Sequence, residues 1–322
     1  MNPATVAEAS GPFADSQLAE FVAQPGPAFA DLDVTAMRAG VAQRAQSRPP
    51  GPDMDVVVDL TVEGLPARLY RPAPGSLPVI VYLHGGGWTI GSLQSYDRLC
   101  RRLAAGASAA VLALDYRLAP EHPWPSSVED TVATLRWVAS APASLEPVTG
   151  VVAVTGDSAG GTLAALACLR LRDEHPKALP DLQVLLYSNT DLTGSHPSMT
   201  EKASGWWLDA ATVRFFNRQW VPDETRWSDP DVSPLHAPDL SGLPPALIVT
   251  AEHDPLRDES EAYAARLREA GVDVEVRREP GLIHHFMMLD ELSPACAAAA
   301  DRVAANLRTR LRAPTSGPNS AR

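Results

Sequence analysis

The stretch VTGDSAGGTLAALACL runs from Val154 to Leu169 and sets Ser158 among Gly156, Gly160 and Gly161. A G-x-S-x-G pattern alone arises by chance in about one chain in ten of this length at average glycine and serine usage. Serine is also ordinary in a tight turn. The flanks decide between the two readings. Upstream, Val151-Val152-Ala153-Val154 is a short β-branched apolar run that reads as a buried strand. Downstream, Thr162 to Arg172 is rich in Ala and Leu without Pro or Gly, and reads as a helix. A serine at the apex of strand, turn and helix is the setting of a nucleophile elbow. The glycines let the backbone turn sharply and let strand and helix approach closely. The helix N-terminus offers unpaired N–H groups to developing negative charge.

The same alternation extends outward. Val56–Val62 and Ala67–Arg71, separated by EGLP, read as an antiparallel hairpin. Strands follow at Val79–Leu83, Ala110–Asp115, Val151–Thr155, Gln183–Tyr187, Ala246–Thr250 and Val272–Arg277. Helices are predicted over 93–105, 126–139, 159–174 and 258–270, the last stopped by Gly271. Such alternation predicts an α/β fold with a mostly parallel central sheet and helices on both faces. Residues 1–50 read as helical, broken by Pro25, Pro27, Pro49 and Pro50. Residues 189–242 interrupt the rhythm with Trp206, Trp207, Phe215, Phe216, Trp220 and Trp227, which marks an insertion, since linkers are not aromatic. The main domain is expected over 51–312, and the tail 313–322 is expected to be disordered.

Composition narrows the partners. The 322 residues are 45% apolar and 20% charged, with a net charge of −12. That balance argues against nucleic acid or an anionic membrane as partner. MNPATVAEASGPFADSQLAEF has neither a basic nor an apolar leader segment, so no signal peptide and a cytoplasmic location are expected. No run approaches the length of a membrane span. Cys100, Cys168 and Cys296 are odd in number and far apart, which suits buried reduced thiols and neither a metal set nor a disulfide framework. No metal and no organic cofactor are expected, and a homodimer is compatible with the sequence.

The strand Val79–Leu83 runs into HGGGWTIGSL, His84 to Leu93. Attack of Ser158 on a carbonyl would place negative charge on its oxygen, which needs N–H donors about 3 Å away. Bare glycines let backbone amides come that close. Gly85 and Gly86 are the predicted donors of this oxyanion hole, with Ala159, the residue after the nucleophile, as the third. A phosphate loop is the competing reading, but neither G-x-G-x-x-G nor GK[ST] is present.

HGGGW, DYRLAPEHPWP (Asp115–Pro125), GDSAGG, DPLRDE (Asp254–Glu259) and PGLIHHF (Pro280–Phe286) occur in one order between about Val79 and Leu289. In this the chain resembles the hormone-sensitive-lipase-like esterases of the α/β-hydrolase fold. The resemblance implies hydrolysis of carboxylic esters, often with short acyl chains. It also implies an N-terminal helical cap beside the active-site mouth, which 1–50 and part of 189–242 would supply.

A serine hydroxyl needs a base, and the base an orienting carboxylate. In α/β-hydrolases the chain order is Ser, then Asp or Glu, then His. Asp254 and His284 follow predicted strands in that order and match the family's positions, although Asp254 also suits a helix N-cap. His84 is expected to brace the glycine loop. Asp115, Arg117 and Glu121 are expected to form a buried charged brace. Asp157, beside the nucleophile, should point away from it. His122, His175, His196 and His236 read as solvated or loop residues. Trp88, Trp206, Trp207 and His285 are candidate pocket residues. Two residues depart from the family pattern: His285, where glycine commonly follows the histidine, and His253, where an apolar residue commonly precedes the aspartate. They would narrow the pocket, shift the triad or supply a second acid/base group. The expected function is a carboxylic-ester hydrolase acting on small or short-acyl esters through an acyl-serine. The alternatives are a deacetylase or amidase, a transacylase or a lactone-forming enzyme using the same triad, and a non-catalytic binder.

Overall fold

The structure, a computed structural model, describes residues 12–24 and 33–312. The first eleven residues, 25–32 of the expected cap, and the tail 313–322 lie outside the described residues.

An eight-stranded sheet, in the order β1-β2-β4-β3-β5-β6-β7-β8, is built from Val56–Val62 (β1), Leu65–Arg71 (β2), Leu77–Leu83 (β3), Ala110–Leu114 (β4), Val148–Asp157 (β5), Leu182–Leu186 (β6), Ala246–His253 (β7) and Val274–Ile283 (β8). β1–β2 and β2–β4 pair antiparallel, and the remaining neighbours pair parallel. The hairpin is tighter than EGLP suggested. Val62 pairs with Leu65, and only Glu63 and Gly64 turn, at φ 50° and 85°. Two successive left-handed residues make the turn whose twist matches the strands.

Strand alternation sorts the sheet into two cores. Val79, Val81 and Leu83 of β3 face one cluster, covered by α4 (Ser126–Ala139), α5 (Ala159–Glu174) and α8 (Arg257–Glu269). Ile80 and Tyr82 face the other, covered by α3 (Leu93–Ala107) and α9 (Pro294–Arg312). Sequence reading did not single out α9, although its alanine-rich run was a signal. Gly106 of α3 lets the two helices meet, since a Cβ there would lie 2.7 Å from that of Ala304. Cys100, Cys168 and Cys296 are buried free thiols in these cores.

The expected helices of the first fifty residues are α1 (Ser16–Ala23) and α2 (Val34–Ser47), capped by Asp15 and Asp33 side chains at 2.8 Å. The insertion divides. Met199, Leu208 and Val213, from α6 (Pro197–Glu201) through α7 (Ala210–Trp220), cluster with Leu256. Phe216 joins Met37 of α2 and Ile90 of the glycine loop. Trp220, Trp227, Val232, Leu235 and Leu240 belong to the main core.

Three strands run past their predicted ends, β5 to Asp157 rather than Thr155, β7 to His253 rather than Thr250 and β8 to Ile283 rather than Arg277. β8 is an edge strand, which tolerates Pro280. Gly281 takes φ 67°, and its amide donates to Glu252 Oε2 at 2.7 Å. The extensions of β7 and β8 carry Asp254 and His284 to the C-terminal edge of the parallel sheet, beside the end of β5.

Candidate active site

Ser158 stands between β5 and α5 at φ 52°, ψ −121°, a strained conformation for a residue with a side chain. Its amide donates to Leu186 O at the end of β6, at 2.8 Å, which holds the elbow down. The glycines around it have no room for side chains. A Cβ on Gly160 would lie 2.0 Å from Leu83 O, and one on Gly156 2.3 Å from the Gly160 carbonyl carbon.

His284 Nε2 stands 3.0 Å from Ser158 Oγ, and His284 Nδ1 2.8 Å from Asp254 Oδ2. A carboxylate only accepts, so Nδ1–H donates to Asp254 and Nε2 accepts from the serine hydroxyl. Asp254 Oδ1 accepts the Leu256 amide at 2.8 Å, and both Asp254 and His284 are buried. The Tyr187 and His284 rings pack edge to face, with centroids 4.9 Å apart. Sequence reading missed Tyr187 in this setting; its place at the end of a buried strand was the available signal. Of the adjacent histidines, His284 is the one that reaches Ser158.

Asp157 points away from the nucleophile and anchors the glycine loop. It accepts from Tyr82 Oη at 2.7 Å, Tyr96 Oη at 3.0 Å and the Gly85 amide at 2.8 Å. Burial pushes its carboxyl up, against those three hydrogen bonds. The expectation for Gly85 is therefore corrected: its N–H is committed to Asp157 and does not face the site. The amides of Gly86, Gly87 and Ala159 have no protein acceptor among the described residues. Gly87 lies under Phe216, whose Cγ a Cβ there would meet at 2.2 Å.

His84 braces this loop as expected. Its Nδ1 bonds Gly85 O at 2.7 Å, and its ring stacks on Tyr116 at 4.3 Å, whose hydroxyl donates to His84 O. Trp88 is a correction. It is buried in the main core and stacks on Trp220 at 4.1 Å and 8°. The brace of Asp115, Arg117 and Glu121 is another. Arg117 pairs with Asp130 at 2.6 Å, while the exposed Glu121 pairs with Arg38 of α2 at 2.7 Å. His196 and His236 are also more than loop residues, with Nε2 atoms 3.6 and 3.0 Å from the buried Asp191.

The two departing histidines are both engaged. His253 Nε2 donates to Pro12 O at 2.7 Å, and Nδ1 meets Lys202 Nζ at 3.3 Å. His285 takes φ 72°, the region glycine would favour, and its ring stacks on Trp207 at 5.0 Å. Burial, reinforced by His284, Arg48 and Arg44, pushes its imidazole down to about 3. Among the described residues no group of three or more His, Cys, Asp or Glu is placed to hold a metal.

A mostly parallel sheet carrying a serine on a strand-to-helix elbow at its C-terminal edge defines an α/β hydrolase. A family model described as alpha/beta hydrolase fold matches residues 80–288, and the chain belongs to that family. It is 42% identical over 292 residues to the carboxylic ester hydrolase LipN of Mycobacterium tuberculosis, covering 87% of this chain and 77% of the relative. It is 40% identical over 233 residues to an ethyl acetate hydrolase of Pseudomonas putida, covering 71% and 73%. Among solved structures, an esterase of Pyrobaculum calidifontis superposes with a TM-score of 0.85 at 37% identity, covering 94% of this chain and 100% of that one.

Proposed function

We propose that this chain hydrolyses small carboxylic esters through an acyl-Ser158 intermediate. The observation that carries the reading is the continuous chain from Ser158 Oγ through His284 to Asp254, with links of 3.0 and 2.8 Å. His284 Nε2 takes the hydroxyl proton as Oγ attacks the ester carbonyl. Asp254 holds the ring and stabilises the imidazolium that forms. The amides of Gly86, Gly87 and Ala159 receive the oxyanion, with Gly87 in the place first assigned to Gly85. His284 then protonates the leaving alcohol. Water, deprotonated by His284, releases the acid and restores Ser158. The likeness to proteins named ester hydrolases supports an ester as the bond broken.

α1, α2 and residues near α6 and α7 form the cap in this reading, because Phe216, Met37 and Ile90 join α2 and α7 to the glycine loop. No described helix is long and apolar enough to cross a membrane. Short acyl chains and a cytoplasmic site of action complete the proposal.

Ser158→Ala should fold normally and lose at least about a thousandfold in kcat/KM on a four-carbon ester. His284→Ala should do the same. Residual activity within tenfold of the parent would overturn the nucleophile assignment. Faster turnover of a sixteen-carbon ester than of the four-carbon one would overturn the substrate class.

A further inference from the structure

His253 and His285 lie one residue before Asp254 and one residue after His284. Each is stacked on one of two consecutive tryptophans. The Trp206 ring lies 4.2 Å from that of His253 at 19°, and the Trp207 ring lies 5.0 Å from that of His285 at 11°. One dipeptide of the insertion thus grips both loops that carry the base and its carboxylate. The N-terminal segment backs each stack. Phe13 packs on Trp206 at 5.5 Å and on His253 at 5.7 Å, and Phe21 of α1 packs on Trp207 at 6.3 Å.

The stacks are constrained. Pro12 O accepts from His253 Nε2, so its Nδ1 is the acceptor of the Lys202 ammonium. The same ammonium lies 4.1 Å above the Trp206 ring. Trp207 and His285 both sit at positive φ, 75° and 72°. Such strain persists where the surroundings over-determine it, and two strained residues stacked face to face beside a reactive histidine meet that description. A glycine at 285 would remove the strain and also remove the ring on which Trp207 rests.

We propose that Trp206 and Trp207 are positioning residues, which fix the relative placement of Asp254 and His284 by stacking on His253 and His285. The proposal rests on the triad reading above. Displacement of a reacting group by about 1 Å can cost a hundredfold in rate, so a small shift of either loop would be felt in catalysis.

The test compares Trp206→Leu, Trp207→Leu and Trp207→Phe with the parent on acetyl and butyryl p-nitrophenyl esters. Leucine keeps apolar bulk and removes the flat ring; phenylalanine keeps a ring. Each leucine variant should lose about tenfold or more in kcat, equally on both esters, with KM held within about twofold. Trp207→Phe should recover most of that loss. In a His285→Gly background, Trp207→Leu should have no further effect, because its partner is gone. Unchanged kcat in the leucine variants, multiplicative losses in the double variant, or a shift of KM and chain-length preference at constant kcat would overturn the proposal; the last would make these residues a pocket wall. Ser158→Ala run beside them separates the two readings. If Ser158→Ala is inactive while the tryptophan variants match the parent, positioning alone fails. If Ser158→Ala keeps its activity, the triad reading fails.

Discussion

Glu259 shows how an acid inside a sequence motif acts without reaching the chemistry. It lies buried in the first turn of α8, where its Oε1 accepts the amides of Thr190 at 2.7 Å and Asp191 at 3.2 Å. It ties the loop after β6 to the helix after Asp254, while its Oε2 has no partner among the described residues. Burial, with Asp191 nearby, pushes the carboxyl well above the usual carboxylate range. An acid whose folded value is raised stabilises the fold fully below its unfolded value, about 4.5, and loses that contribution as pH rises through the folded value. The parent should therefore lose thermal stability as pH rises above about 4.5, and Glu259→Gln, which keeps a carbonyl oxygen for both amides, should lose less. At pH 8 the glutamine variant should have the higher Tm of the two. Parallel pH–Tm curves for the two proteins would refute the account. At this scale the meeting of Ser158, Asp254 and His284 was legible because order and strand ends constrain it. Gly85 and Trp88 were misread because nothing in a linear stretch says which amide a distant Asp157 will claim, or that Trp220 will cover an indole.

The elements were legible wherever a period and a punctuating residue coincided. The strands of the parallel core and α4 and α5 lie where the apolar runs placed them. The errors fall at ends. β7 and β8 continue through polar or proline-containing residues because partner strands and edge position, not propensity, sustain them. The β1–β2 turn contracts to Glu63-Gly64, where Glu63 sits at φ 50°. Asparagine tolerates that conformation better than glutamate. Glu63→Asn should stabilise the protein by about 0.5–1 kcal/mol without altering activity, as measured by chemical denaturation. A loss of stability would mean that the Glu63 side chain has a role beyond the turn.

Across the whole molecule, Arg38 joins the N-terminal helices to the site. From α2 it donates to Thr89 O and Ala119 O, each at 2.9 Å, and to Glu121 at 2.7 and 2.8 Å. With side-chain exposures of 33% and 55%, the Arg38–Glu121 pair itself is worth little; the bonds to the carbonyls of Thr89 and Ala119 matter more. Arg38→Ala should cost about 1–2 kcal/mol and speed chymotryptic cleavage of the N-terminal segment, whereas Glu121→Gln should cost under about 0.5 kcal/mol. Equal effects in thermal unfolding would mean the ion pair carries the link.

The sequence by itself determined the fold class, the place of Ser158 on the elbow, and the order in which Ser158, Asp254 and His284 come together. These follow from local periodicity, from glycines that leave no room for alternatives and from motifs in a set order. Tertiary structure decided which glycine amides remain free, that Trp88 is core, and that His253 and His285 are stacked on Trp206 and Trp207. Each of those outcomes depends on a partner tens of residues away. A hydrogen bond or a ring stack forms with whatever the packed chain brings within reach, and that proximity is a property of the folded whole.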